Sequence, residues 1–349
     1  MKKIINIILT IFFLLTGCSK TTAEDNLYFS IRTRPSYNNY GENYADYLFT
    51  TVEISKNHEI KEYGEINLFT GYSSSLVDAD NQMIYYINRL NIDPDNYTIN
   101  DGDQLYSYDI KNKNTVKYTD ILYGNNYIFK NNDKIYLVSR TSNIHGQQLF
   151  EYDLKTNSLE NIGPGEEYNV RIVNYNPVNE EIILSAYKES EYDEAMENQD
   201  ENKLGIFEDP TNYIYSYKDG VLTYLFETGK GKVLEIAAND DYIVYYFKHD
   251  ILFCAENKTE IYEDNYFTYD RNTGEITETL LGNEMENLYT VYYLSEDSSY
   301  IYCEHFLDES ESVFELVKYD LNTNQSEVIL DYYESGLSDD PVVVLMKHE

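Results

Sequence analysis

Five copies of one short pattern constrain the fold of this chain more than any other feature. They are Leu105-Tyr106-Ser107-Tyr108-Asp109, Leu149-Phe150-Glu151-Tyr152-Asp153, Ile214-Tyr215-Ser216-Tyr217-Lys218, Tyr266-Phe267-Thr268-Tyr269-Asp270 and Leu316-Val317-Lys318-Tyr319-Asp320. From Tyr108 the tyrosines recur at Tyr152, Tyr217, Tyr269 and Tyr319, at intervals of 44, 65, 52 and 50 residues. Those intervals lie inside or above the roughly 40–50 residues of a propeller blade. A weaker sixth copy is Tyr47-Leu48-Phe49-Thr50-Thr51-Val52, with Thr51 in the tyrosine position.

Each copy opens a hairpin. Asp219-Gly220 supplies the positive φ angles of a tight two-residue turn. Asn272-Thr273-Gly274, Thr156-Asn157 and Thr323-Asn324 place Gly or Asn where a longer loop needs a left-handed residue. Upstream of each hairpin lie two more strand-like runs, such as 170–173 and 182–187, or 233–237 and 242–247. The units of four strands are then 72–122, 123–164, 165–228, 229–282 and 283–333. The N-terminal unit has only three strands, 27–33, 47–54 and 59–63, and the apolar run Val342-Val343-Val344-Leu345-Met346 can supply the fourth. Pairing the first unit with the last strand removes exposed sheet edges. The expected fold is an all-β, six-bladed β-propeller of four-stranded antiparallel blades closed by the C-terminal strand. Tandem β-sandwiches use similar hairpins and are the alternative.

In these repeated Tyr-Asp hairpins, residues 25–349 resemble the TolB-like six-bladed propellers of exported bacterial proteins. That resemblance implies a binding or scaffolding platform and carries over no functional residue.

The start of the chain resembles the signal of bacterial lipoproteins: Met1-Lys2-Lys3, an apolar run over 4–15, then Leu15-Thr16-Gly17-Cys18. The apolar run falls short of the ~20 residues that span a bilayer. The resemblance implies cleavage before Cys18 and acylation (palmitate) of that cysteine, with the protein held by lipid on the extracytoplasmic face of the cell membrane. The domain plan is therefore a signal peptide at 1–17, an acylated polar leash at 18–26 and the propeller at 27–349. Loss of Lys2 and Lys3 leaves 24 basic and 62 acidic residues, a net charge of 24 − 62 = −38. Such a field opposes nucleic acid and anionic headgroups. It keeps a tethered domain soluble and leaves basic, cationic or neutral partners open. The chain is expected to be a monomer.

Of the long links at 34–46, 88–104, 188–213, 248–266 and 304–313, nearly all fall where second-to-third-strand links and links between blades emerge. In a propeller they share one face, so one rim is elaborated and the other plain, and elaborated loops on a rigid scaffold are where binding usually lives. In that rim the acidic run Glu189 to Glu201 reads as a solvated mobile loop. Asp93-Pro94-Asp95-Asn96 and Asp101-Gly102-Asp103 offer oxygen ligands for calcium but lack EF-hand spacing, and no cofactor is expected. His145, His249 and His305 fall in or beside rim links and are the ligand-face candidates, although three different blades carry them. His58 and His348 read as structural or terminal. Cys254 and Cys303 can pair in an oxidising exterior or stay as idle thiols. No zinc, nucleophile-elbow, Walker or dinucleotide motif is present. The chain has 39 tyrosines and no Trp, and the tyrosines of the repeated pattern are assigned largely to packing between blades. The functional expectation is a non-catalytic binding or scaffolding lipoprotein whose partner is an envelope or extracellular protein, peptide or glycan. The alternative is a surface hydrolase, for instance a carbohydrate-active one, that uses rim carboxylates or histidines.

Overall fold

A computed structural model describes residues 23–33, 48–55, 57–67, 74–89, 102–120, 122–202, 209–249, 263–281, 288–308, 313–332, 334–335 and 342–348. Among these residues, 24 strands form six four-stranded antiparallel sheets. Blade 1 takes β1 (Leu27–Thr33), β2 (Leu48–Ser55) and β3 (Ile60–Asn67). Blade 2 consists of β4 (Ser75–Asp78), β5 (Met83–Arg89), β6 (Asp103–Asp109) and β7 (Asn114–Lys117), and blade 3 of β8 (Tyr123–Asn131), β9 (Lys134–Arg140), β10 (Gln148–Asp153) and β11 (Ser158–Asn161). Blade 4 holds β12 (Tyr168–Asn176), β13 (Glu181–Lys188), β14 (Thr211–Lys218) and β15 (Val221–Lys230). Blade 5 holds β16 (Lys232–Ala238), β17 (Tyr242–His249), β18 (Glu263–Asp270) and β19 (Ile276–Thr277). Blade 6 holds β20 (Leu288–Leu294), β21 (Tyr300–Asp308), β22 (Val313–Asp320) and β23 (Gln325–Asp331). The last strand, β24 (Val342–Lys347), completes blade 1 in the order β24-β1-β2-β3.

The register of that closure runs from Leu27 opposite Lys347 to Arg32 opposite Val342. Val344, Leu345 and Met346 are buried, as an innermost strand covered on both faces requires. First and last strands share a sheet, so the chain is one ring and the tandem-sandwich arrangement is set aside. Each sequence copy of the pattern is the third strand of its blade.

The chemistry of the repeated pattern is now explicit. Its Asp closes the turn into the outermost strand: Asp153 accepts from the amides of Lys155 and Thr156 at 2.7 and 2.9 Å, and Asp320 from those of Asn322 and Thr323 at 2.9 and 2.8 Å. Asp270 does the same at Asn272 and Thr273. The residue that needs a positive φ follows, as Asn157 (55°), Asn324 (55°) or Gly274 (74°). Blade 4 uses the two-residue Asp219-Gly220 turn, so Lys218 stands where the others have Asp. The tyrosine of the pattern packs between blades. Tyr217 of blade 4 meets the Tyr136 ring of blade 3 at 6.0 Å and donates to Glu151 at 2.9 Å. Tyr269 of blade 5 stacks on Phe226 of blade 4 at 4.1 Å.

Links of two to five residues, such as 132–133, 219–220 and 295–299, join first to second and third to fourth strands at one rim. The longer links leave the opposite rim, as expected, but residues 304–308 and 313 of the link expected at 304–313 are strand. One of them is not a loop: Glu189–Asn202 form helix α1. Glu, Ala, Met and Gln are good helix formers, and Glu189 and Glu191 complement the helix dipole in its first turn. Tertiary bonds then fix that first turn. Asn169 donates to Glu189 at 2.6 Å, and Tyr213 and the Thr211 amide donate to Glu191 at 2.7 and 3.1 Å. The acidic run is therefore an anchored helix and not the mobile loop expected.

Of the polar leash, only residues 23–26 are described, and they form a 3-10 turn tied to blade 6. Glu24 accepts from the Tyr293 hydroxyl at 2.8 Å and from the Glu296 amide, in the β20–β21 turn, at 3.0 Å. The chain thus enters β1 at the plain rim.

Candidate functional site

The innermost strands leave the regular ladder at comparable positions. β12, β16 and β20 each carry a bulge at the end nearer the elaborated rim, over Val170/Ile172, Val233/Glu235 and Tyr289/Val291, and β8 is irregular between Tyr123 and Tyr127. A bulge adds one residue to a strand and re-aims its side chains. Here the added residues are Arg171, Leu234 and Thr290.

Inside this level lies an axial cavity of about 210 Å³, lined by β8, β12, β16, β20 and β24. It encloses Glu235, and burial together with the charge of Glu304 pushes that carboxyl up to about 8. Glu304 is raised by burial too, against hydrogen bonds from Tyr292 at 2.7 Å and Tyr332 at 3.3 Å. Thr290 beside them opposes part of the rise of both carboxyls. Its φ of 38° is unusual for a β-branched residue and is held in place by the bulge. Asn174 of blade 4 reaches the Val291 and Tyr292 carbonyls of blade 6 at 3.1 Å, spanning the ring across the axis. This region can take up a proton near neutral pH, and its polar groups are bonded to one another.

The plain-rim end of the axis opens into a depression of about 380 Å³ whose polar side chains are largely paired. Lys130 binds Asp78 at 2.9 Å with both side chains buried. His348 stacks on Tyr28 at 4.4 Å and reaches Asp80 at 2.9 Å, so it acts as a clasp on the closing strand. The structural reading of His348 holds.

At the elaborated rim, between blades 3 and 4, a pocket of about 380 Å³ is built differently. Two of the six arginines in the chain, Arg140 and Arg171, line it together with His145, and no Asp or Glu does. Arg171 sits on the β12 bulge, with its guanidinium 4.6 Å over the Tyr187 ring and Nη2 3.3 Å from the fully buried Asp209. Asp209 is shared with Lys232 at 2.8 Å, and Nη1 of Arg171 is buried without a hydrogen-bond partner. Arg140 donates to the His145 carbonyl at 3.3 Å and lies over the Tyr123 ring at 5.9 Å. Gln147 accepts from Asn126 at 2.9 Å and donates to the Gly124 carbonyl at 2.9 Å within blade 3, while its own carbonyl accepts from the Val170 amide of blade 4 at 2.8 Å.

Of the histidine candidates, only His145 belongs to this pocket. His305 lies in blade 6, across the ring, 3.9 Å from Glu315, and the His249 side chain lies outside the described residues. Among the described residues, no three His, Cys, Asp or Glu side chains gather as a metal-binding group. Residues 93–101, Cys18 and Cys254 also lie outside the described residues. Cys303 is a buried free thiol, pushed up by that burial. Sequence reasoning missed Arg140 and Arg171. Their scarcity was a signal, but only the fold brings them to one pocket.

No family model and no curated protein matches the chain. Similar solved structures include a nidogen–laminin complex (TM-score 0.49, 7% identity, 91% of this chain and 98% of that chain). Others are the β-propeller domain of the trilobed protease of Pyrococcus furiosus (0.46, 11%, 88% and 95%) and TolB of Acinetobacter baumannii (0.45, 12%, 91% and 66%).

Proposed function

We propose that this chain is a lipid-anchored, extracytoplasmic binding propeller that turns its plain rim toward the membrane and its elaborated rim outward. The observation that carries this reading is the Glu24 tie. It brings the chain into blade 1 at the plain rim, so an acyl group on Cys18 sits on that side of the disc. Five residue steps separate Cys18 from Ala23, a reach of at most ~18 Å fully extended. The anchor therefore holds the plain rim close to the bilayer and leaves the rim pocket and helix α1 facing away from it. Partners are sought among basic or neutral envelope proteins, peptides and glycans, in keeping with 62 acidic residues.

Cys18→Ala is expected to move the chain from the detergent phase to the aqueous phase in a phase-partition assay; an unchanged partition overturns the anchor. Single cysteines at Asp193 in α1 and Asn322 in the β22–β23 turn then report orientation. On membranes, a bulky maleimide should label Asp193→Cys faster than Asn322→Cys, and equal rates overturn the orientation. A glycan and peptide hydrolysis screen separates this reading from the surface-hydrolase alternative, since turnover would establish an enzyme.

A further inference from the structure

We infer that the pocket between blades 3 and 4 is a binding site for a single carboxylate carried on a small polar molecule. This names a ligand chemistry for the elaborated rim. It rests on that rim being the ligand face but not on the lipid anchor.

Three observations converge. The first is the lining: in a chain of 62 acidic and 26 basic residues, a pocket that holds two arginines, a histidine and three side-chain amides with no carboxylate is a local reversal of the prevailing charge. The second is the state of Arg171. A planar guanidinium packed on Tyr187 is pre-oriented, and one of its terminal nitrogens is buried with no hydrogen-bond partner. Buried donors of this kind are costly unless satisfied. Its acidic contact among the described residues, Asp209, also serves Lys232, so Arg171 keeps positive charge available. The third is the second cation. Among the described residues, Arg140 makes a carbonyl bond and a ring contact, which leaves most of its fork for a ligand.

The class of anion follows from geometry and field. A guanidinium fork matches the two coplanar oxygens of a carboxylate. A volume of about 380 Å³ is at the small-molecule end of ligand pockets. Polyanions meet the negative field of the whole chain. Glu189, which accepts from Asn169 at the margin of the pocket, adds a near charge that disfavours a second anionic group. The Asn126–Gln147 bond fixes amides that can meet hydroxyl or amide groups on the body of the ligand.

The test is titration of the purified full chain with two matched pairs, glucuronate against glucose and N-acetylglycine against N-acetylglycinamide, with inorganic phosphate in parallel. At least one carboxylate should bind saturably and its neutral counterpart at least tenfold more weakly. Which pair responds distinguishes a sugar-borne from a peptide-like carboxylate. Arg171→Lys keeps charge but loses the fork and should weaken binding at least tenfold, with thermal unfolding showing whether the fold persists. Arg140→Gln, at an exposed position, gives a second reading with little risk to folding and should weaken binding several-fold. Equal binding of charged and neutral partners, no binding of either carboxylate, phosphate binding alone, or full affinity in both variants overturns the assignment. The labelling and partition experiments above are unaffected by any of these outcomes, so the two readings fail separately.

Discussion

The two rims of this propeller are built from the same strands and solve different problems. At the plain rim, neighbouring blades are locked by direct bonds. Asn176 of blade 4 reaches the Ala238 carbonyl of blade 5 at 3.0 Å, and Asn239 of blade 5 reaches the Ser295 carbonyl of blade 6 at 2.6 Å. Arg271 of blade 5 grips Glu181 of blade 4 through both carboxyl oxygens at 2.9 and 3.0 Å. At the elaborated rim, the arginines between blades 3 and 4 meet rings, carbonyls and a shared buried carboxylate. Short turns can be satisfied within the scaffold, whereas long links on bulged strands leave polar groups over. The described bonds that lock neighbouring blades are direct at the plain rim, and the proposed binding pocket lies at the other.

The largest test of that division is removal of the closing strand. A chain ending before residue 342 loses three buried side chains and exposes the β1 edge. At ~1.5–3 kcal/mol per buried side chain the loss is on the order of 5 kcal/mol or more. Urea unfolding should show a much lower midpoint, and an unchanged midpoint would mean that the ring closes without β24.

Two arginines, one from each rim, give the next contrast. Arg271→Ala leaves Glu181 buried and charged, and breaking such a pair costs ~3–5 kcal/mol. Arg140→Ala, at an exposed position with no acidic partner among the described residues, should stay within about 0.5 kcal/mol. Glu181→Gln added to Arg271→Ala should recover part of the loss, since no buried charge then remains. Equal effects of the two single changes would erase the distinction between the rims.

Much of this was legible in the sequence because it is periodic. The Tyr-Asp copies disclosed the third strands and their turns, since Asp153 or Asp320 in the turn and the left-handed Asn157 or Asn324 are local requirements. The closing strand was legible as an apolar run without a partner, Val342 to Met346. The pocket was not legible. Arg171 and Arg140 lie 31 positions apart and in different blades, and what joins them is a bulge that depends on pairing register. Helix α1 was misread because a run as acidic as Glu189 to Glu201 looks solvated, while the bonds that fold it come from Asn169, Thr211 and Tyr213 on neighbouring strands.

The axis lies between the rims and should respond to pH. Glu235 is neutral in both folded and unfolded chains below its ordinary value of 4.5. Between 4.5 and about 8 the unfolded chain ionises it while the fold keeps it protonated, so stability falls as pH rises through that window. Raised Glu304 and Glu296 act in the same direction. The lowered carboxyls Asp240 and Asp297 lose their contribution only at more acidic pH, outside this window. Glu235 keeps some solvent access through the cavity, so an effect on the order of 2 kcal/mol between pH 5 and 8 is expected at ~1.4 kcal/mol per shifted unit. Glu235→Gln should flatten that slope in chemical unfolding at the two pH values, and an identical slope in both proteins would remove Glu235 from the account.

The last test probes how the elaborated rim holds helix α1. Glu191 accepts from the Tyr213 hydroxyl and the Thr211 amide, so Glu191→Ala removes two bonds to blade 4 and one favourable charge from the first turn of α1. Two partly solvated hydrogen bonds at ~0.5–1.5 kcal/mol each, offset by water at the freed groups, give a global loss of about 1 kcal/mol. The local effect should exceed the global one. α1 has exposed Met196 on its surface and no basic residue in its last turn, and among the described residues the bonds that tie it to the blade come from its first turn. Amide exchange in 189–202 should therefore accelerate in the variant while exchange in β12 and β13 stays near its original rate. If β12 and β13 accelerate equally, α1 is part of the blade 4 fold itself, and the elaborated rim contributes to stability as the plain rim does.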